Sequence, residues 1–351
     1  MNDHRPGSAD SRLDLLRLWL QHDLGFTGFG LAPASADASF RRYFRVTLAD
    51  GSTRIVMDAP PDKENVEPYL RVAGMLGDIG VHAPRILARD AAQGFLLLSD
   101  LGTTMYLPEL AKQGQADALY ADAITALVRI QSRGSPHARH LPPYDERLLR
   151  QEMSLFPDWL LSRHLGLTLT GTEARVLGAA MDALVANALG QPQVFVHRDY
   201  HSRNLMVCAG DNPGIIDFQD AVHGPLTYDL VSLLRDSYIA WPQERVVGWA
   251  RDFRRQAAAA GLETGRDDEQ FMRWFDLVGV QRHLKVGGIF ARLCHRDGKP
   301  GYLADIPRTL QYAVDSCTRH ADFAALGELI GRRVLPAVVA RLDAGAAPAA
   351  R

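Results

Sequence analysis

Two neighbouring stretches decide the fold: His197-Arg198-Asp199-Tyr200-His201-Ser202-Arg203-Asn204 and, further along, Ile216-Asp217-Phe218. An Asp and an Asn on one loop, with a second Asp at the end of the next hairpin, can bring three oxygen-bearing side chains into one small volume. Mg2+ takes carboxylate and amide oxygens together with phosphate oxygens. A further carboxylate that stays free of metal can orient an acceptor hydroxyl and accept its proton. The arrangement therefore suits magnesium and phosphate.

The strand context supports this interpretation. Apolar segments at 194–196 and 205–207 predict short strands on either side of the loop, and turn residues at 210–214 predict a hairpin that returns through 215–218. The order His-x-Asp-x-x-x-x-Asn followed by Asp-Phe is that of a kinase catalytic loop and its metal-binding aspartate. Taken alone, Asp217 is more typical of a turn cap.

Outward from this loop the two parts of the chain differ in their patterns. Residues 40–46 alternate apolar and charged side chains, 49–52 predict a turn and 54–57 a returning strand. A short helix at 64–76 and strands at 84–89 and 95–98 complete a small sheet. From 101 onward apolar residues recur mostly at helical spacing. The predicted class is α+β.

Composition excludes several classes of protein. The 351 residues carry 39 Lys plus Arg against 41 Asp plus Glu, so no overall positive field attracts nucleic acid. The three cysteines lie far apart, which favours neither a disulfide framework nor a zinc site. No apolar run approaches the ~20 residues of a membrane span. We expect a cytoplasmic protein with neither a nucleic acid nor a membrane partner, and a monomer as the working expectation.

These features resemble the aminoglycoside phosphotransferase family, the small-molecule kinases with a protein-kinase-like fold. Several segments further resemble the anomeric sugar kinases of cell-wall recycling, and they are 37–45, 56–61, 217–221 and 228–236. The resemblance implies a bilobal α+β fold. A small antiparallel sheet would form an N-lobe at 1–100, and a mainly helical C-lobe would follow at 101–351.

The resemblance also implies an activity and its residues. The expected reaction transfers the γ-phosphate of ATP to the C1 hydroxyl of N-acetylmuramate and/or N-acetylglucosamine in peptidoglycan recycling. Asp199 would be the catalytic base, Asn204 and Asp217 would hold Mg2+, and Asp229 would brace the catalytic loop. The nucleotide would contact a phosphate-covering loop, an adenine-binding segment and strand arginines, and these residues are Ser35, Ser39, Phe40, Ser99, Asp100, Leu101, Arg42 and Arg45.

One element of the kinase pattern is missing. The third strand normally supplies a lysine for the ATP phosphates, but strand 54–57 ends at Met57, which Asp58 follows. An arginine fork can also grip phosphate oxygens bidentately. We expect Arg45 or Arg42 to supply the cation, and a solvated or ion-paired strand face is the open alternative.

The acceptor site is predicted close to Asp217 in the sequence. Candidates for gripping sugar hydroxyls and an acetamido group are Gln219, Asp220, His223 and Arg235. Residues 281–285 lie on a predicted C-lobe helix. They either reach an acidic group of the substrate or form a solvated helix face, and the solvated face is our expectation.

Two other functions stay open at this point. The first is another small-molecule phosphotransferase of the same fold, acting on an aminoglycoside, choline or another alcohol. The second is a nucleotide-binding, pseudokinase-like module, which the missing lysine motivates. Retention of Asp199, Asn204 and Asp217 favours an enzyme.

Overall fold

A five-stranded antiparallel sheet forms the first part of the chain. The computed structural model describes residues 10–36, 40–112 and 114–346, without the side chains at 35, 36, 345 and 346. The strands are β1 (Gly30–Ala36), β2 (Arg42–Thr47), β3 (Thr53–Asp58), β4 (Ile86–Asp90) and β5 (Phe95–Ser99). Their order across the sheet is β1-β2-β3-β5-β4. The sequence predicted the last four of these strands, but not β1.

The two faces of this sheet pack against different helices, because successive residues of a strand point to opposite faces. On one face Val56 and Phe95 lie in a small core with Trp19, which follows helix α1 (Ser11–Leu18). On the other face Met57 and Leu96 join the main core together with helix α2 (Glu67–Asp78). The second face is the one that borders the helical part of the molecule.

Helices make up most of the remainder, and their buried apolar residues join one core. The α-helices are α3 (Tyr106–Leu110), α4 (Ala116–Arg133), α5 (Ser135–Ala138), α6 (Glu146–Met153), α7 (Gly171–Leu189), α8 (Tyr228–Leu234), α9 (Gln243–Ala259), α10 (Asp268–Asp297), α11 (Ile306–Thr318), α12 (Ala324–Leu329) and α13 (Leu335–Ala346). The π-helical segments are Trp19–Asp23, Phe156–His164 and Ile330–Val334, and the 3-10 turns are Pro300–Asp305 and Ala321–Phe323.

Helix α10 is the central element of this part. Its first turn is capped by Asp267, whose carboxylate accepts from the N–H of Gln270, and it ends at Gly298 with a left-handed φ of 65°. It packs against α7, α8, α11 and the segment Phe156–His164. Gly288 permits the closest approach, since a Cβ at this position would lie 2.3 Å from the carbonyl carbon of Leu155. The middle of α10 is therefore buried.

Two small antiparallel sheets frame the loop at 197–204. One pairs β6 (Gln193–Val196) with β9 (Val222–Pro225), and the other pairs β7 (Leu205–Met206) with β8 (Gly214–Ile215). The second pair confirms the predicted hairpin, whereas β9 was not predicted. The α+β class, with a small antiparallel sheet followed by a mainly helical part, is confirmed. The boundary at residues 100 and 101 stays a prediction.

Within the described ranges, no helix has both the length and the apolar character that crossing a membrane requires.

Candidate active site

Two buried carboxylates, Asp229 and Asp236, bind the backbone of the loop at 197–204. The Asp229 side chain accepts from the backbone N–H of His197 at 2.6 Å and of Arg198 at 2.9 Å. Asp236 accepts from the N–H of Ser202 at 3.0 Å. These bonds satisfy backbone donors that no strand partner reaches. The bracing role predicted for Asp229 is thus what its contacts show.

Two residues of the site have left-handed backbone conformations. Arg198 has a φ of 81° and Asp217 a φ of 62°, and both are non-glycine residues. Such conformations cost about 1–3 kcal/mol and persist where the surroundings enforce them, often at functional sites. Here the two Asp229 bonds fix the turn at Arg198 and present the next residue, Asp199, toward solvent-accessible space.

His197 has a structural role. Its Nδ1 accepts from the N–H of Asp199 at 3.3 Å, so Nε2 carries the proton and donates to the carbonyl of Ile216 at 3.1 Å. Burial lowers the pKa of His197 to about 4. The neutral imidazole therefore ties the loop to the segment that carries Asp217, in agreement with the packing role that sequence alone favours for this position.

Asp199, Asn204 and Asp217 come together as predicted. The Asn204 amide donates to the backbone carbonyl of Asp199 at 3.0 Å and lies 3.3 Å from Asp217 Oδ2. Asn204 and Asp217 offer the hard oxygen donors that Mg2+ prefers, and this ion usually takes only one or two protein carboxylates plus phosphate oxygens. In the part of the chain that the structure describes, no cluster of three His, Cys, Asp or Glu side chains forms a fuller metal cage. The donor set fits magnesium.

Two cavities meet at Asp199. The larger, of about 550 Å3, runs between the sheet and the helical part and is bordered by Ser99, Asp100 and Leu101 as well as by Asn204 and Asp217. The smaller, of about 310 Å3, lies on the other side of Asp199. Its remaining walls are Leu148, Gln151, Glu152, Leu155, Arg198, Asp220, Lys285, Ile289 and Arg292. Both volumes fall in the range of small-molecule sites.

Cations keep Asp199 ionised. Burial alone would raise the pKa of this carboxyl, but the charges of Lys285, Arg282 and Arg198 outweigh it and lower the pKa to about 2. At neutral pH the carboxylate is therefore an acceptor of hydrogen bonds and only a weak base. Its main contribution is to orient a donor that enters from either cavity.

Only some of the residues predicted to bind the nucleotide line the larger cavity. Ser99, Asp100 and Leu101 line the larger cavity, and the Ser99 N–H already donates to the carbonyl of Arg85 at 2.9 Å. The backbone N–H of Phe40 donates to Glu64 at 3.1 Å. The backbone of Ser35 pairs with Tyr43 in the sheet, its side chain is outside the description, and Ser39 lies outside the described residues.

The strand arginines separate by face. Arg42 lies on the α1 side, where its guanidinium donates to Asp58 at 3.0 Å and also pairs with Asp10. The structure therefore does not bring Arg42 to the cleft, which corrects the expectation that it binds phosphate. The ion-paired alternative describes it instead.

Two other arginines lie on the cleft side, Arg45 on β2 and Arg41 just before this strand begins. Arg45 lines the larger cavity, and its guanidinium donates to Asp100 at 2.6 and 3.0 Å and to the carbonyl of Gly102 at 2.8 Å. Arg41 lies beside Asp217, with its Nη2 3.6 Å from Asp217 Oδ1. Met57, at the strand position expected for lysine, is completely buried.

Of the residues predicted to bind the acceptor, some lie at the smaller cavity and others do not. Asp220 lines the smaller cavity, and Gln219 donates to Asp217 at 2.9 Å and to Asp220 at 3.1 Å. His223 lies on β9 and is not among the residues lining either cavity. Arg235 is only 2% exposed, and its guanidinium donates to Asp276 at 2.6 Å and to Ser316 at 3.0 Å. The structure corrects the prediction for Arg235, because its donors serve the core of the helical part.

The expectation of a solvated helix face at residues 281–285 is wrong. These residues are buried rather than solvated, because α10 is surrounded by other helices. Arg282 lines the larger cavity and Lys285 lines the smaller one. Lys285 pairs at 2.9 Å with Glu152, a residue that the sequence did not identify as part of the site. Gly287-Gly288 in the middle of this helix was the available sign, since adjacent glycines permit close helix packing.

The fold and the site define a class of protein. Solved structures with the same fold include an ethanolamine kinase from Plasmodium vivax, with a TM-score of 0.63 at 10% identity over 90% of this chain and 97% of that one. A choline kinase from Streptococcus pneumoniae has a TM-score of 0.61 at 10% identity, covering 86% of this chain and 99% of that one. The small antiparallel sheet followed by a mainly helical part is therefore the protein-kinase-like fold.

The chain belongs to the phosphotransferase enzyme family, whose model matches residues 30–275. A Pseudomonas aeruginosa protein named N-acetylmuramate/N-acetylglucosamine kinase is 49% identical over 333 residues, covering 92% of this chain and 97% of that protein. A Neisseria meningitidis protein of the same name is 45% identical over 323 residues, covering 90% and 95%. The family resemblance inferred from the sequence is confirmed, and the chain is an enzyme that transfers a phosphoryl group.

Proposed function

We propose that this enzyme transfers the γ-phosphate of ATP to the C1 hydroxyl of N-acetylmuramate and N-acetylglucosamine. The observation that carries the proposal is the position of Asp199, whose carboxylate borders both a nucleotide-sized cleft and a smaller polar cavity. The names of relatives at 45% identity and above supply the substrate class. We further propose that the reaction takes place in the cytoplasm as part of peptidoglycan recycling, and that the enzyme acts as a monomer.

In this proposal the larger cavity holds the nucleotide. The segment from Ser99 to Leu101 borders the adenine, and Arg41 approaches the phosphates beside Asp217. Asn204 and Asp217 would hold Mg2+, which when bound neutralises the negative charge that the phosphates bring. Tyr43 and Ile55 form the sheet-side wall of the same cleft.

The smaller cavity would hold the sugar with its C1 hydroxyl next to Asp199. The carboxylate accepts a hydrogen bond from this hydroxyl and aims an oxygen lone pair at the γ-phosphorus. As the new C1–O–P bond forms and the bond to ADP breaks, the hydroxyl proton passes to Asp199. A loose phosphoryl-transfer transition state needs little base strength, and a hemiacetal hydroxyl is more acidic than an ordinary sugar alcohol. A pKa of about 2 at Asp199 suits this orienting role.

The charge of the smaller cavity disfavours an aminoglycoside acceptor. Its wall carries three cationic residues, Arg198, Lys285 and Arg292, and three acidic ones, Glu152, Asp199 and Asp220. Arg198 and Lys285 pair with Glu152, so the cavity has no excess of negative charge to attract a polycationic antibiotic. A neutral or anionic sugar fits these walls better.

A substrate panel tests the proposal. The enzyme is incubated with Mg-ATP and N-acetylmuramate, N-acetylglucosamine, choline or an aminoglycoside, and each sugar product is then tested for a reducing end. We expect transfer to the two amino sugars with loss of the reducing end, since a C1 phosphate blocks ring opening. A phosphorylated sugar that still reduces would contradict the C1 assignment, and transfer only to choline or an antibiotic would contradict the substrate class.

A further inference from the structure

The cations of the smaller cavity are not equivalent. Arg198 and Lys285 both engage the buried carboxylate of Glu152, and the Lys285 ammonium lies 2.9 Å from it. The same two cations lower the pKa of Asp199. Their charge is therefore already committed to the protein's own carboxylates.

Arg292 differs from them. It lines the same cavity, but its Nε is out of contact with water and has no hydrogen-bond partner within the described ranges. Burial lowers the pKa of its guanidinium, and the nearby Arg296 adds to this effect. A buried donor without a partner is unfavourable, and an acceptor that arrives with the substrate would satisfy it.

The position of Arg292 on α10 indicates where such a partner would lie. Lys285, Ile289 and Arg292 all line the cavity, and this spacing places them on one face of the helix. Two helical turns, about 10 Å of rise, separate the first from the last. Lys285 lowers the pKa of Asp199 and lies at the end of this face where the C1 hydroxyl would react. Arg292 lies at the other end, beside a more distant part of the acceptor.

We propose that Arg292 binds the carboxylate of the 3-O-lactyl group of N-acetylmuramate and so sets the preference between the two amino sugars. This inference rests on the proposed function. N-acetylglucosamine lacks the lactyl group and leaves the guanidinium without an anion. A planar guanidinium that binds a carboxylate bidentately is the geometry for which arginine is suited.

The test compares Arg292→Gln, Arg292→Lys and the control Arg296→Gln, which lies on the same helix, is exposed and pairs with Asp297. The readout is the ratio of kcat/KM for N-acetylmuramate to that for N-acetylglucosamine. We expect Arg292→Gln to lower this ratio by about tenfold to a hundredfold, the range of a charge-assisted hydrogen bond, and Arg292→Lys to restore part of it. A ratio within about twofold of the wild type in Arg292→Gln, or the same fall in Arg296→Gln, would overturn the assignment.

A change in the substrate gives an independent readout that a folding defect cannot imitate. The methyl ester of N-acetylmuramate keeps the lactyl group without its charge. The wild-type enzyme should prefer the acid over the ester by a similar factor, and Arg292→Gln should lose this preference. A variant that still discriminates acid from ester as the wild type does would overturn the assignment while leaving the proposed function intact. A wild-type enzyme that phosphorylates neither amino sugar would refute the proposed function and this inference with it.

Discussion

Replacing Glu152 by Gln should strongly destabilise the protein, because this buried carboxylate pairs with two cations. The Glu152 side chain is 7% exposed and receives hydrogen bonds from Arg198 and Tyr144, while the Lys285 ammonium lies 2.9 Å away. The two cations hold the pKa of this carboxyl below its ordinary value, although burial alone would raise it. Glutamine keeps the shape of the side chain and removes the charge, which leaves both cations without their common partner.

The magnitude follows from the burial of the partners. Removing one member of a buried ion pair costs about 3–5 kcal/mol. Because the Arg198 side chain is 21% exposed and borders the cavity, water can solvate it in part. We therefore expect the lower end, about 3 kcal/mol. Replacing Lys285 by Met in the same variant should recover part of the loss, since it removes one of the uncompensated charges.

The assay is urea unfolding followed by circular dichroism, with Glu146→Gln as the matched control. Glu146 lies on the same helix, α6, is 58% exposed and pairs with Arg150, which is 45% exposed. Exposed pairs of this kind contribute about 0–1 kcal/mol. If Glu152→Gln is no less stable than Glu146→Gln, the pairing of Glu152 with Arg198 and Lys285 does not stabilise the folded protein.

Two further results are expected. Arg41→Ala should weaken Mg-ATP binding about tenfold or more, because Arg41 lies beside Asp217. Arg42→Ala should lower stability instead of affinity, because Arg42 pairs with Asp58. If isothermal titration shows a larger loss of Mg-ATP affinity in Arg42→Ala than in Arg41→Ala, the assignment is refuted. Burial lowers the pKa of His283 to about 3 from an ordinary 6.5. Between these two pH values the unfolded chain binds a proton at this histidine and the folded chain does not. The free energy of unfolding therefore falls as the pH falls. His283→Gln should reduce this slope by up to about 1.4 kcal/mol per pH unit, and equal slopes in urea unfolding at about pH 4 to 7 would contradict it.

The loop at 197–204 was predictable from the sequence because its geometry is local. Asp199 and Asn204 share one loop, and Asp217 follows at the end of the adjoining hairpin, so short-range spacing brings the three together. The hairpin strands followed from the same local pattern, whereas the bracing role of Asp229 was implied by the family resemblance.

The rest of the site depends on contacts between segments that are distant in sequence. Arg235 is adjacent to the site in the chain, yet Asp276 on α10 binds its guanidinium in the core. Arg42 and Arg41 are neighbours, but strand alternation and the packing of α1 send the first away from the cleft. The burial of Lys285 depends on how α6 and α10 pack, and the helical pattern of α10 alone does not contain that information.

The most direct test of the account is the turnover of Asp199→Asn. Asparagine keeps the size of the side chain but neither takes up the proton nor offers a charged acceptor to the C1 hydroxyl. With Mg-ATP and N-acetylglucosamine we expect kcat to fall by about 10²–10⁴-fold, while the dissociation constant for Mg-ATP stays within a few fold, because Asn204 and Asp217 are unchanged. Turnover close to that of the wild type, with nucleotide binding intact, would contradict the central claim that Asp199 orients the acceptor at the junction of the two cavities.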